Sequence, residues 1–157
     1  YQVGLKFHYT ETDINNVTVN KVTPEWNMGS IESNVSNASS SQSLKIDPNA
    51  FYRFLTTCIF DDPNIVSRSD DHIEITVYAG GEELDTYMNL NGPSTSLVQE
   101  KPFYTNINGG YGLFSSRVAK TITPLTLTPL TRDTLSRGHI SCYMKFGDRN
   151  DVVWGCQ

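Results

Sequence analysis

Residues 103–117, FYTNINGGYGLFSSR, place three glycines within four positions and then two serines, Ser115 and Ser116. Such a stretch can cradle a phosphate on its backbone amides, carry a nucleophile, or only turn the chain. The spacing Gly110-x-Gly112-x-x-Ser115 has the outline of a dinucleotide fingerprint. That device needs a buried strand before it, a helix after it and an acidic residue about 20 positions on. Lys101 to Arg132 contains no Asp or Glu, and LFSSRVAKTIT reads as strand. No Gly-Lys-Ser/Thr is present either, so nucleotide binding is set aside. A serine nucleophile needs a base within hydrogen-bond reach. The three histidines, His8, His72 and His139, lie in or beside strand patterns, and there is no Gly-x-Ser-x-Gly elbow. A hydrolase using Ser115, Ser116 or acidic loop residues is therefore the rival reading. The leading one is a tight bend: Asn108-Gly109 as a type I′ pair, with Gly110 and Gly112 relieving Cβ crowding. Tyr104, Ile107, Tyr111 and Phe114 would then pack on either side.

Asp61-Asp62 and Asp70-Asp71 flank PNIVSRS and are weak calcium candidates, because the D-x-D-x-D-G order with a distal Glu is missing. They read as a solvated loop, and no metal is expected. Of the three cysteines, Cys58 lies in the apolar run FLTTCIF and reads as a buried thiol, while Cys142 and Cys156 are a candidate disulfide. No CxxC spacing exists to hold structural zinc. Trp26 and Trp154 would stack on sugar rings if exposed, and are core anchors otherwise; the core reading is preferred. Tyr104, Asn106, Asn108 and Tyr111, with Trp26, are the candidate binding residues. No cofactor is expected.

The elements that must position these groups are mostly strands. Ser, Thr and Asn make up 44 of 157 residues, and charged residues only 18%, against roughly a quarter in an ordinary domain. Long helices usually carry many Glu and Lys, so this surface of hydroxyls and amides favours strands and loops. The net charge is −5, with no run of Lys or Arg, which argues against a nucleic-acid partner and an anionic membrane surface. No apolar stretch approaches the ~18 residues of a spanning helix. The length fits a single domain over residues 1–157.

YQVGLKFHY alternates Val3, Leu5, Phe7 and Tyr9 on one face. A strand that begins at residue 1 suggests that something preceded it. NVTVNKVTPEW is a second strand run ended by Pro24, and residues 27–43, with seven serines and no aromatic, read as a flexible polar loop. Asp47 and Pro48 are N-cap and first-turn signals for a helix of about twelve residues, with Phe51, Phe54, Leu55, Cys58 and Ile59 as its apolar stripe. HIEITVYAGGEELDTYMNL reads as a hairpin turning at Gly80-Gly81, with Leu84, Tyr87 and Leu90 on the return strand and Glu82-Glu83 as a solvated tip. VAKTITPLTLTPLT, with two prolines, reads as an edge strand or arm. TRDTLSRG reads as one helical turn capped by Gly138, HISCYMKF as a strand and DVVWGC as a last short strand. The pattern does not alternate strand with helix, which disfavours a doubly wound sheet. The expected fold is mainly β: an antiparallel β-sandwich, immunoglobulin-like or related, with one packed α-helix.

YQVGLKFHYTE, NAFYRFLTTCI, IVSR, IEITVYAGGEELDTYMNL and EKPFYTNINGGYGLFSSR follow one another in an order that resembles uncharacterised cell-surface lipoproteins of Bacteroidetes. In that family the C-terminal region carries a proline, Tyr-Thr-Asn-Ile, a glycine turn and a Gly-(Leu/Ile)-Phe block. The similarity covers roughly residues 1–117. It implies export, outer-membrane attachment through a lipid on an upstream cysteine that is not in this sequence, and no catalytic residues. Asp133-Thr134-Leu135 also looks like the short O-glycosylation site of exported proteins of that phylum, with Thr134 as acceptor. The function expected is a non-catalytic extracytoplasmic surface module that binds a glycan or protein partner. The alternative is a structural C-terminal domain of a larger surface protein.

Overall fold

The computed structural model describes residues 1–31, 43–81, 83, 86, 105–110 and 112–147. The protein is mainly β, 42% strand and 18% helix, with a curled antiparallel sheet and two α-helices. Strand β1 (Gln2–Asp13) is the spine. One of its edges pairs along its whole length with β4 (Ile65–Gly80). The other pairs with β3 (Trp26–Ser30) at Gln2 to Leu5 and with β2 (Thr18–Val22) at His8 to Thr12. Strand β5 (Arg117–Leu125) pairs with β4 from Ile73 to Gly80 and closes the sheet as an edge, where its one proline, Pro124, is tolerated.

Alternation along β1 sorts the two faces. Leu5, Phe7 and Tyr9 are buried on one, packed against Tyr52 and Leu55 of α1 (Ala50–Thr56) and Leu135 of α2 (Pro129–Arg137), with Ile59, Met144 and Phe146 from the connecting segments. The rings of Phe7 and Phe51 meet edge-on at 5.7 Å, and Phe146 sits 5.7 Å from both Phe7 and Tyr9. The opposite face carries polar cross-strand pairs. Lys6 Nζ lies 3.6 Å from Glu74, the His8 and His72 rings stack at 4.1 Å, and the Thr76 and Thr121 hydroxyls bond at 3.0 Å. Gly4 belongs to this face. A Cβ there would meet Glu25 Cδ at 2.6 Å, so its absence lets Glu25 cross the strand and accept from the Tyr78 hydroxyl at 2.7 Å. Such a face suits one solvated layer. Among the described residues all strands belong to one sheet and its covering layer is helical, so the second sheet of the expected sandwich is not among them.

Several segments differ from the sequence reading. The polar stretch 27–43 begins as strand: main-chain pairing with β1 ignores side-chain polarity, and the positive φ of Gly29 (121°) accommodates the bulge opposite Val3 and Gly4. Residues 32–42 lie outside those described. Helix α1 is seven residues, not about twelve. Asp47 Oδ1 accepts from Asn49 N at 2.7 Å and forms a turn ahead of the helix, leaving Asn49 as N-cap. The Thr56 and Thr57 hydroxyls fold back onto Arg53 O and Phe54 O and end it. The second helix is longer than one turn because Thr128 caps Thr131 N and Pro129 occupies its first turn, with Gly138 at the C-cap as expected.

Strand β4 starts at Ile65, not His72, so Asp70 and Asp71 lie in a strand rather than a loop. Asp71 is the extra residue of a bulge where His8 pairs with His72 and Tyr9 with Asp70. Leu84, Tyr87 and Leu90 of the expected return strand lie outside the described residues; Thr86 between them and Glu83 of the expected tip are helical. HISCYMKF is not a strand. Ser141 N and Cys142 N both donate to Gly138 O, and Cys142–Met144 is a 3-10 turn ended by Lys145 at φ 59°. The alternation of buried Cys142, Met144 and Phe146 arises from that turn, not from a pleat. DVVWGC, with Trp154 and Cys156, lies outside the described residues. Cys142 is disulfide-bonded, and Cys58 is a free thiol whose pKa burial raises.

Burial, with the Glu11 carboxylate second, pushes the Tyr9 phenol up to about 12. The folded state therefore holds this proton more tightly than the unfolded chain, whose tyrosines titrate near 10. The resulting stability is complete below about pH 10 and is lost as pH rises toward 12. An alkaline difference spectrum should show a late tyrosine step that Tyr9→Phe removes. An unchanged spectrum above pH 11 in that variant would refute the assignment.

Candidate functional site

The glycine stretch is a clamped loop. The Thr105 hydroxyl accepts from Ile107 N and Gly112 N, both at 3.2 Å, and donates to Gly110 O at 3.3 Å. Asn106 grips Phe114 from both sides: Oδ1 accepts from Phe114 N at 2.7 Å and Nδ2 donates to Phe114 O at 2.5 Å. No helix starts at Gly112, and its amide is spent within the loop rather than aimed at an anion. The turn is not type I′, because Gly109 has positive φ (77°) while Asn108 does not. Phe114 is 80% exposed instead of packed, and Ile107 is exposed as well.

The candidate binding residues are not gathered into one site. Asn106 is consumed by the clamp, Asn108 is exposed at the turn, and Tyr104 and Tyr111 lie outside the described residues. Trp26 stands on β3, half-buried and stacked on Phe54 at 5.3 Å. It borders a mainly apolar pocket of about 290 Å³ with Met28, Phe51 and Ile73. Among the described residues no hydrogen bond or ring contact joins it to the loop. Ser115 Oγ is buried without a hydrogen-bond partner, beside Gly81 at the far end of β4. His72 stands nine residues back along that direction, roughly 30 Å away at strand rise, stacked on His8. His139 follows α2. The hydroxyl therefore has no base to activate it among the described residues.

The acidic pairs are separated and individually engaged. Lys145 Nζ lies 3.0 Å from Asp61 Oδ1 and donates to Asp62 O at 2.8 Å. Asp62 Oδ1 accepts from Asn64 N. Asp71 faces His72 Nδ1 at 3.1 Å, and Asp70 Oδ2 accepts from Arg132 Nε at 2.7 Å. Among the described residues no three His, Cys, Asp or Glu converge as a metal site. Thr134 lies in α2, where its hydroxyl donates to Leu130 O at 3.0 Å.

What the fold does assemble is a cleft, about equally polar and apolar, where β5 has left the edge of β4. Its volume is about 450 Å³, and its walls include Thr12, Ser67, Ser69, Asp70, Arg132 and Ser136 over a floor of Leu135 and Phe146. Arg68, 3% exposed, rivets one wall. Its Nε donates to Glu11 Oε1 at 2.8 Å, Nη1 to Met144 O at 2.7 Å and Nη2 to Phe60 O at 3.1 Å. Its backbone holds the 145–147 segment through Arg68 N to Lys145 O and Gly147 N to Arg68 O. Arg132 comes from α2 and reaches Asp70 across the mouth. The sequence reading missed this site. The available signal was Ser67-Arg68-Ser69, an arginine between two small hydroxyl residues directly after the apolar pair Ile65-Val66. No protein-family model matches the chain, nor does any curated protein or solved structure.

Proposed function

We propose that this chain is a non-catalytic extracytoplasmic surface module that binds a glycan or a protein partner. The observation that carries this reading is the cleft bordered by the Asp70–Arg132 pair and fixed by a buried arginine that donates from each of its three nitrogens. A rigid concavity loses little entropy on binding. The unpartnered Ser115 hydroxyl and the separated acidic pairs count against the hydrolase alternative. Export and outer-membrane attachment rest on the resemblance of residues 1–117 to Bacteroidetes surface lipoproteins and on the weakly charged, hydroxyl-rich surface. A structural role within a larger surface protein is the second reading, favoured by the exposed Val17, Val19 and Val22 at one sheet edge and Val118 and Ile122 at the other. An immunoglobulin-like second sheet would have to come from residues outside those described.

A glycan array together with a pull-down from outer membranes tests the proposal. Saturable capture in one of them is the expected result, and silence in both overturns it.

A further inference from the structure

We infer that the cleft between β4 and α2 takes a neutral saccharide through a vicinal diol, with the Asp70–Arg132 pair as its recognition element. The inference rests on the binding-module reading and narrows it to one ligand class and one site. The pair meets through a single contact, Arg132 Nε to Asp70 Oδ2 at 2.7 Å. Among the described residues, neither Asp70 Oδ1 nor the two Nη groups of Arg132 has a hydrogen-bond partner. A free carboxylate oxygen therefore stands beside free guanidinium donors. A sugar hydroxyl both donates and accepts, so two neighbouring hydroxyls match such a pair, one giving its proton to the carboxylate while the other accepts from the guanidinium. Because the pair is internally neutral, a ligand of either net charge would leave one partner uncompensated. On the α2 wall the Ser136 hydroxyl, which donates to Arg132 O at 3.0 Å, keeps its lone pairs for one more contact. The volume, about 450 Å³, lies within the range of about 300–1,000 Å³ usual for small-molecule sites. The wall is held by Arg68 whether or not a ligand is present, so the geometry is set beforehand.

The test is a titration of the ¹⁵N-labelled chain with glucose, mannose and galactose, their 2-deoxy analogues, glucuronate, and a short peptide with a free C-terminal carboxylate. At least one neutral sugar should shift amides of residues 67–70, 132 and 136 saturably. Its deoxy analogue should bind about tenfold more weakly, and glucuronate no more tightly than the neutral sugar. Asp70→Asn should weaken binding at least tenfold. Ser136→Tyr, which adds a ring to the α2 wall of the cleft one turn from Arg132, should abolish it even if Asp70→Asn folds poorly. Sugar binding that shifts other residues, or that survives both substitutions, overturns this inference and leaves the binding-module reading standing. Binding of the peptide or glucuronate in preference to every neutral sugar overturns the ligand class. No response to any probe overturns the inference, and the outer-membrane pull-down then decides the wider reading separately.

Discussion

Arg68→Met should cost about 3–5 kcal/mol of folding stability, the range found when one partner of a buried ion pair is removed. Three acceptors lose their donor at once: the Glu11 carboxylate, which is largely buried, and the carbonyls of Met144 and Phe60. The nearest other cation, Lys21, stands 3.6 Å from the second oxygen of Glu11 and is half exposed, so it compensates little. Arg68→Lys keeps the charge but cannot span three acceptors lying in different directions, and should recover only part of the loss. Urea unfolding of the three proteins reads the differences directly. A loss below about 1 kcal/mol for the methionine variant would mean that the carbonyls find water and the rivet is dispensable. Since a domain of this size holds about 5–15 kcal/mol in all, the expected loss approaches global unfolding.

Phe7→Ala is the second large effect, also about 3–5 kcal/mol. Phe7 is fully buried and touches the rings of Tyr9, Phe51 and Phe146. It thus joins the sheet to α1 and to the segment after the 3-10 turn. Removing it opens a cavity that neither helix nor strand can collapse into without breaking β1 pairings. Phe114→Ala is the matched control: the same atoms are removed at an exposed position, and the change should stay within about 0.5 kcal/mol. Equal losses in both variants, measured by thermal or denaturant unfolding, would contradict the packing described.

The strands that alternate cleanly were legible. Leu5, Phe7 and Tyr9 mark the buried face of β1 because period 2 survives any tertiary context, and the stripe through Leu55 and Ile59 marked α1. Local signals misled where long-range pairing decides. A strand takes main-chain bonds from its neighbour regardless of its own side chains, so polar Trp26–Ser30 and Ile65–Asp71 became strands. Cys142 to Phe146 copied a strand pattern by placing every second residue inward from a tight turn. The glycine loop was correctly read as a bend, but its Thr105 and Asn106 clamps depend on contacts across the loop that spacing alone does not reveal. The cleft was invisible for the same reason. Thr12, Ser67 and Arg132 are distant in sequence, and only the register of β1 with β4 and the reach of α2 bring them together.

That register also sets an order of events during synthesis. One edge of β1 can be covered early by β3 and β2, which follow it within thirty residues. The other edge matches Gln2 to Tyr78 and Asp13 to Ile65, so it stays bare until the whole of β4 has been made. Pairing so remote in sequence delays closure. A nascent chain of this protein therefore travels with a row of unpaired main-chain donors and acceptors still looking for its neighbour, and whatever accompanies it until then must shield that side.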